Sequence, residues 1–188
     1  MITRADVIKA DLPQFDSFVV PYYTGKQNIV QALRDNLNFN PKVIMEIGVR
    51  TATSALAFMR CWPLAKYIGI DEGGFVDGGI GRDGLIWAGK VLEPYNAEIR
   101  IANSQKIAKV LDSIDFAHCD GDHSFDGCIH DMSILFEALN PGGYLLVDDY
   151  DHLTAVKHAV DCWLKARPKI KWEYFKTYRG DILISKKD

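Results

Sequence analysis

The chain has 188 residues, 48% of them hydrophobic, which is long enough for one sizeable core and too short to divide comfortably into two, so a single domain over 1–188 is expected. Its formal net charge is −3, with acidic and basic residues interleaved, which leaves no electrostatic footprint for nucleic acid or an anionic membrane and points to a small-molecule partner. Met1-Ile2-Thr3-Arg4-Ala5-Asp6 lacks an export-signal pattern, and no apolar run approaches the roughly 18 residues of a membrane span. Cys61, Cys119, Cys128 and Cys162 form no CxxC pair, so a cytoplasmic protein with reduced core thiols is expected.

In chain order, Met1 to Thr24 is aromatic and irregular, suited to cover a pocket or to make a subunit contact in a homo-oligomer, and Lys26 to Leu37 reads as a helix, giving an N-terminal cover and helix over 1–40. Val43 to Ile47 reads as a strand, Thr51 to Arg60 as a helix, and Lys66 to Ile70 as a second strand. Gly73 to Gly84 holds six glycines in twelve residues and reads as a loop, with a helix over Leu85 to Leu92 behind it. Glu98 to Ile101 is the third strand, Ser104 to Leu111 a short helix, Phe116 to Cys119 the fourth strand and Gly127 to Leu139 a helix. Asn140-Pro141-Gly142-Gly143 stops that helix before the fifth strand, Tyr144 to Val147. Leu153 to Ala166 is an amphipathic helix, and Lys171 to Thr177 and Ile182 to Ser185 are strands joined by a tight turn. Alternation of this kind predicts an α/β fold: a Rossmann-like, doubly wound, mainly parallel seven-stranded sheet with helices on both faces and a C-terminal antiparallel hairpin.

In such sheets the ligand crevice lies beyond the carboxyl ends of the strands. After the first strand stands Glu46-Ile47-Gly48-Val49-Arg50-Thr51-Ala52-Thr53-Ser54, a one-glycine turn opening onto a helix. A dinucleotide site needs G-x-G-x-x-G, and Arg50 and Thr53 hold the later glycine positions, which disfavours nicotinamide and flavin cofactors. A zwitterionic tail suits the turn better, its carboxylate on the helix N-terminus and Ser54, its ammonium toward Glu46; the bland reading is a tight turn around Gly48. Asp71 ends the second strand, placed to accept from two ribose hydroxyls or simply to cap a loop. Asn103-Ser104-Gln105 follows the third strand, able to read an adenine edge or to start a helix with an N-cap serine.

Glu46-Ile47-Gly48 to Ser54, Asp71 and Asn103-Ser104-Gln105 together resemble the S-adenosylmethionine site of class I methyltransferases, in particular the branch of catechol O-methyltransferase. The resemblance implies that Gly48 and Ser54 hold the methionine end, Asp71 the ribose, and Ser104 and Gln105 the adenine. Ala52 departs from it, standing where many members carry a second glycine.

The fourth strand runs into Cys119-Asp120-Gly121-Asp122-His123-Ser124-Phe125 and the fifth into Val147-Asp148-Asp149-Tyr150. Neighbouring strands lie about 4.8 Å apart, so adjacency of these two would bring Asp120, Asp148 and Asp149 together. Converging carboxylates retain a proton or bind a cation, and an oxygen-only set suits Mg²⁺ or another hard divalent ion. Asp122 is placed to act as general base, with His123 the competing candidate. The run Asp-Gly-Asp with Gly-Gly-Tyr-Leu-Leu-Val-Asp-Asp-Tyr resembles the metal-dependent sugar O-methyltransferases of macrolide and aminocoumarin biosynthesis, which implies Asp120, Asp148 and Asp149 as metal ligands, Asp120 also beside the cofactor, and Asp122 as the base. In the structural alternative, Asp148 and Asp149 cap the next helix and Asp122 caps the one at Gly127. His118, inside the fourth strand, reads as a core histidine. Tyr22, Tyr23, Phe75 and Trp87 could wall an acceptor pocket or serve as core and surface cover. The expected function is Mg²⁺-dependent O-methylation of a small hydroxylated acceptor, a sugar or phenol, with a cofactor-binding protein lacking transferase activity as the alternative.

Overall fold

The computed structural model describes residues 19–74 and 81–187; the cover expected before residue 19 and Phe75 lie outside them. Helix α1 is Val19–Leu37, β1 Val43–Ile47, α2 Thr53–Cys61, β2 Lys66–Asp71, α3 Gly81–Leu92 and β3 Ala97–Ile101. Then follow β4 Ile114–Cys119, α4 Phe125–Ala138, β5 Leu139–Val147, α5 Thr154–Lys165, β6 Lys171–Phe175 and β7 Asp181–Ser185. Seven strands form one sheet in the order β3-β2-β1-β4-β5-β7-β6. β1 to β5 are parallel, β7 is antiparallel to β5, and β6 pairs antiparallel with β7. The expected Rossmann-like sheet with its reversed last strand is what the chain forms.

One apolar cluster packs α1, α2 and α3 on one face of the sheet, through residues such as Val30, Phe58 and Ala88. A second packs α4 and α5 on the other, through Met132, Val160 and Trp163. Helices on both faces explain why the central strands read as continuous apolar runs instead of alternating ones. Strand order reverses between β1 and β4, and a crevice opens at that point.

Several elements differ from the sequence expectation, among them α3, which starts at Gly81 instead of Leu85. α1 begins at Val19, well before Lys26, because Pro21 falls in its first turn, where a missing N–H costs nothing. Tyr22, Tyr23, Lys26, Ile29, Val30 and Leu33 then form its buried stripe. The helix expected over Ser104 to Leu111 is only a single 3₁₀ turn, Ser104–Lys106. The ring of His130 on α4 lies 3.1 Å from the carbonyl oxygens of both Ser104 and Ile107, and Ile107 is extended, so the carbonyls a longer helix would use are held sideways. β5 starts at Leu139, taking in Pro141 to Gly143, because Lys186 supplies the backbone partners of Gly142 and Gly143. No described helix is long and apolar enough to cross a membrane.

Candidate active site

The turn after β1 is built by close backbone approach. Gly48 sits at φ +91°, and a Cβ there would lie 1.8 Å from the carbonyl oxygen of Asp120, so no other residue fits without moving the end of β4. Its N–H donates to Ile70, while the N–H of Asp120 donates to Ile47. Arg50 and Ala52 are also left-handed, at φ 50° and 63°, and Ala52 thus holds the conformation that explains a glycine preference at its position.

Asp71 ties this turn to β2. Its Oδ2 accepts from the N–H groups of Val49 and Arg50, each at 3.0 Å, and its Oδ1 accepts from Gly73 at 2.7 Å. Asn103 accepts from the Gln105 N–H at 2.9 Å and donates to Glu72 at 2.7 Å. Gln105 donates to Ser104 Oγ at 3.2 Å and to Asp131, wholly buried on α4, at 2.9 Å.

A cavity of about 280 Å³ lies over these residues. Gly48, Asp71, Asn103, Ser104 and Gln105 line its floor, with Ser54 beside them, and Asp120, Asp122 and His123 form its far wall. Thr51 and Thr53 also line it at the start of α2, their hydroxyl oxygens 3.3 Å apart. Glu46 differs from the expectation. It is buried beneath the cavity, where Ser54 and Tyr67 donate to its carboxylate and His118 Nδ1 lies 2.7 Å from Oε1. Its lone pairs are taken by neighbours, and Ser54 gives its hydroxyl proton to Glu46 instead of to a ligand.

Asp120 and Asp148 come side by side because Cys119 and Val147 are in register and the Asp148 N–H donates to Cys119. The expected cluster is nevertheless divided. Asp149 is left-handed, φ 60°, and the two consecutive side chains part. Among the described residues, His118, Asp120 and Asp148 bring donor atoms within 4.8 Å of one another, and so do Asp120, His123 and Asp149. Each group contains an imidazole, where an oxygen-only set was expected.

The protein places its own cations among these acids. Lys26 is 1% exposed; its ammonium lies 2.8 Å from Asp148 Oδ1 and also pairs with Asp181. Arg179 Nη1 is 3.1 Å from Asp149 Oδ1. His123 Nε2 is 3.3 Å from both Asp120 Oδ1 and Asp149 Oδ2, and Tyr22 donates to Asp120 Oδ2 at 2.8 Å.

Burial opposes ionisation of Asp120, but the hydrogen bond from His123 and the charges of His118, His123 and Lys26 outweigh it and hold its pKa well below the usual carboxylate range. Burial, with the charges of Asp120 and Asp148, pushes Asp149 up to about 7. Burial and the charge of Asp120 raise the Tyr22 hydroxyl far above its ordinary value, so it stays a donor. Asp122 is engaged locally, accepting from the Ser124 N–H at 2.8 Å and packing over Gly127, with Ser124 the actual N-cap of α4.

Sequence reasoning missed Lys26, Arg179, Asp181 and Asp131. For Lys26 a signal existed: a lysine in phase with the Tyr22, Ile29 and Leu33 stripe of an amphipathic helix.

Solved structures of low identity share this architecture. The O-methyltransferase TomG of Streptomyces achromogenes, described as involved in tomaymycin synthesis, is 16% identical, with 98% of this chain and 96% of that one covered at a TM-score of 0.65. An O-methyltransferase of Bacillus cereus is 15% identical, covering 98% of each chain at 0.65. The methyltransferase PaMTH1 of Podospora anserina is 14% identical, covering 100% of this chain and 98% of its own at 0.65. No curated protein matches the chain. A family model described as a methyltransferase domain matches residues 28–150, from the middle of α1 to just beyond Asp149. The crevice at the strand-order reversal and that match lead to one assignment: the chain belongs to the methyltransferase domain family.

Proposed function

We propose that the protein transfers the methyl group of S-adenosylmethionine to a hydroxyl oxygen of a small acceptor, a sugar or phenol, with His123 as general base. The observation that carries this reading is that one cavity wall joins the Gly48 and Asp71 cradle to His123, itself set between Asp120 and Asp149. Three solved O-methyltransferases or methyltransferases of the same fold carry S-adenosylmethionine or its product, which supports the cofactor.

Bound there, the cofactor supplies an electrophilic methyl group on a sulfonium. The start of α2, with Thr51 and Thr53, offers N–H and hydroxyl donors to a carboxylate. Asp71 fixes the turn from below, and Ser104 and Gln105, held by Asp131, face the adenine side. His123 takes the acceptor's proton, and Asp120 and Asp149 stabilise the imidazolium that forms. Asp122 is the weaker candidate for base because its carboxylate orders the start of α4.

A divalent cation, Mg²⁺ or another, finds partial accommodation. Asp148 Oδ2 and His118 Nε2 are buried with no hydrogen-bond partner, and donor atoms of His118, Asp148 and Asp120 lie within 4.8 Å of one another. Asp120 and Asp148 would hold it, whereas Asp149 is engaged by Arg179 and His123. Such an ion would lower the pKa of an acceptor hydroxyl.

His123→Gln is expected to lower kcat by about 10²- to 10⁴-fold while calorimetry with S-adenosylhomocysteine shows cofactor affinity within about twofold of the parent. A larger loss in Asp122→Asn than in His123→Gln would transfer the base assignment to Asp122. Asp71→Asn is expected to weaken S-adenosylhomocysteine binding by about 10- to 100-fold, because one side-chain oxygen becomes a donor facing backbone N–H groups; unchanged affinity would remove Asp71 from the cradle.

A further inference from the structure

We infer that the buried triple of His118 Nε2, Asp120 and Asp148 Oδ2 is a divalent-metal site with a nitrogen donor, selective for a borderline transition ion such as Mn²⁺ or Co²⁺ over Mg²⁺. This rests on the methyltransferase reading for its role in the reaction, though not for its chemistry.

The first observation is a pair of orphaned atoms. His118 is wholly buried and Asp148 nearly so, and neither His118 Nε2 nor Asp148 Oδ2 has a hydrogen-bond partner. A buried polar atom left this way is costly unless something else occupies its lone pair. His118, Asp120 and Asp148 each offer one donor atom, and these atoms lie within 4.8 Å of one another, so that an ion at about 2.1 Å from each would draw them only slightly closer together.

The second observation is how the neighbours orient the donors. Glu46 Oε1 lies 2.7 Å from His118 Nδ1; a carboxylate there holds the ring proton on Nδ1 and leaves Nε2 as the donor, the arrangement that metal-bound histidines use. Register places Glu46 directly opposite His118 across β1 and β4, so two strands fix the pair. Lys26 lies against Asp148 Oδ1, which also accepts the Asp149 N–H at 2.8 Å, leaving Oδ2 as the oxygen still available. Four carboxylates meet there, from Glu46, Asp120, Asp148 and Asp181, facing the ammonium of Lys26, with His123 against Asp120 and the charge of Arg179 acting on Asp120 and Asp148.

Donor type then decides the metal. Mg²⁺ takes oxygen ligands and keeps much of its water, while imidazole with carboxylates suits Mn²⁺, Co²⁺ and their neighbours.

The test uses the full chain after dialysis against chelator, titrated by calorimetry with Mn²⁺, Co²⁺ and Mg²⁺ separately. Mn²⁺ and Co²⁺ are expected to bind at 1:1 and at least about tenfold more tightly than Mg²⁺. Pulsed electron paramagnetic resonance of the Mn²⁺ form is expected to show ¹⁴N coupling that persists in His123→Gln and disappears in His118→Gln. Equal affinity for Mg²⁺, coupling lost only in His123→Gln, no nitrogen coupling, or no ion binding would each overturn the proposal. Because the nitrogen signal is read first in the parent protein, the proposal stays testable should His118→Gln fail to fold. S-adenosylhomocysteine titrated into the same preparation reads the methyltransferase assignment separately: its loss would remove that reading, and failure of the metal arm alone would leave it standing.

Discussion

Replacing Gly48 with alanine is expected to abolish cofactor binding and to destabilise the fold by about 2–4 kcal/mol. The added Cβ would stand 1.8 Å from the Asp120 carbonyl oxygen and 2.4 Å from its carbonyl carbon, both backbone atoms that no rotamer change can clear. φ +91° adds strain of its own. Relief requires β1 and β4 to part at their carboxyl ends, breaking the Asp120 N–H bond to Ile47 and pulling Asp120 away from Tyr22 and His123. Urea denaturation should show the destabilisation, and calorimetry with S-adenosylhomocysteine a loss of more than about 100-fold in affinity. Near-parental binding in the variant would mean that the turn gives way and that its close approach is not essential.

Lys26→Met is the second large effect, expected to cost about 3–5 kcal/mol. The ammonium is paid for in desolvation by Asp148 and Asp181, and removing it strands two buried carboxylates. Although burial alone would lower its pKa, those two acids and Asp120 raise it above the ordinary lysine value, so Lys26 is a fixed cation and not a base. Adding Asp181→Asn removes one stranded charge, and the double variant is expected to recover about 1–3 kcal/mol relative to additivity. Strict additivity in thermal or urea unfolding would show that the pair is not coupled.

The parallel core of the sheet was legible because β1, β2, β4 and β5 are short apolar runs bounded by turn residues, and a strand buried on both faces leaves that pattern in any sequence. The acids were legible for a related reason. Residues just past a strand's carboxyl end must reach the crevice, so Asp71, Asp120 and Asp148 arrive where register puts them. What failed depended on tertiary partners. Ser104 to Leu111 has helical composition, but His130 from a distant helix takes its carbonyls. α1 was shortened by reading Met1 to Thr24 as irregular cover, which detached Tyr22 and Tyr23 from the stripe that carries Lys26. That Asp148 and Asp149 fall into different donor groups could not be judged from spacing, since it accompanies a left-handed backbone at Asp149. His118 was read as core cover; its burial was foreseen, whereas its pairing with Glu46 depends on the β1–β4 register.

Lys26 and Asp181 are separated by 155 positions, and β7, which carries Asp181, is inserted between β5 and β6 instead of at the rim. A contact of such sequence separation closes late in folding. During synthesis α1 emerges before β7, so its ammonium lacks the second counter-ion until Asp181 has followed. The Ile29 to Leu33 stripe can pack on α2 early, whereas the full neutralisation of the ammonium beneath it waits for the last hairpin.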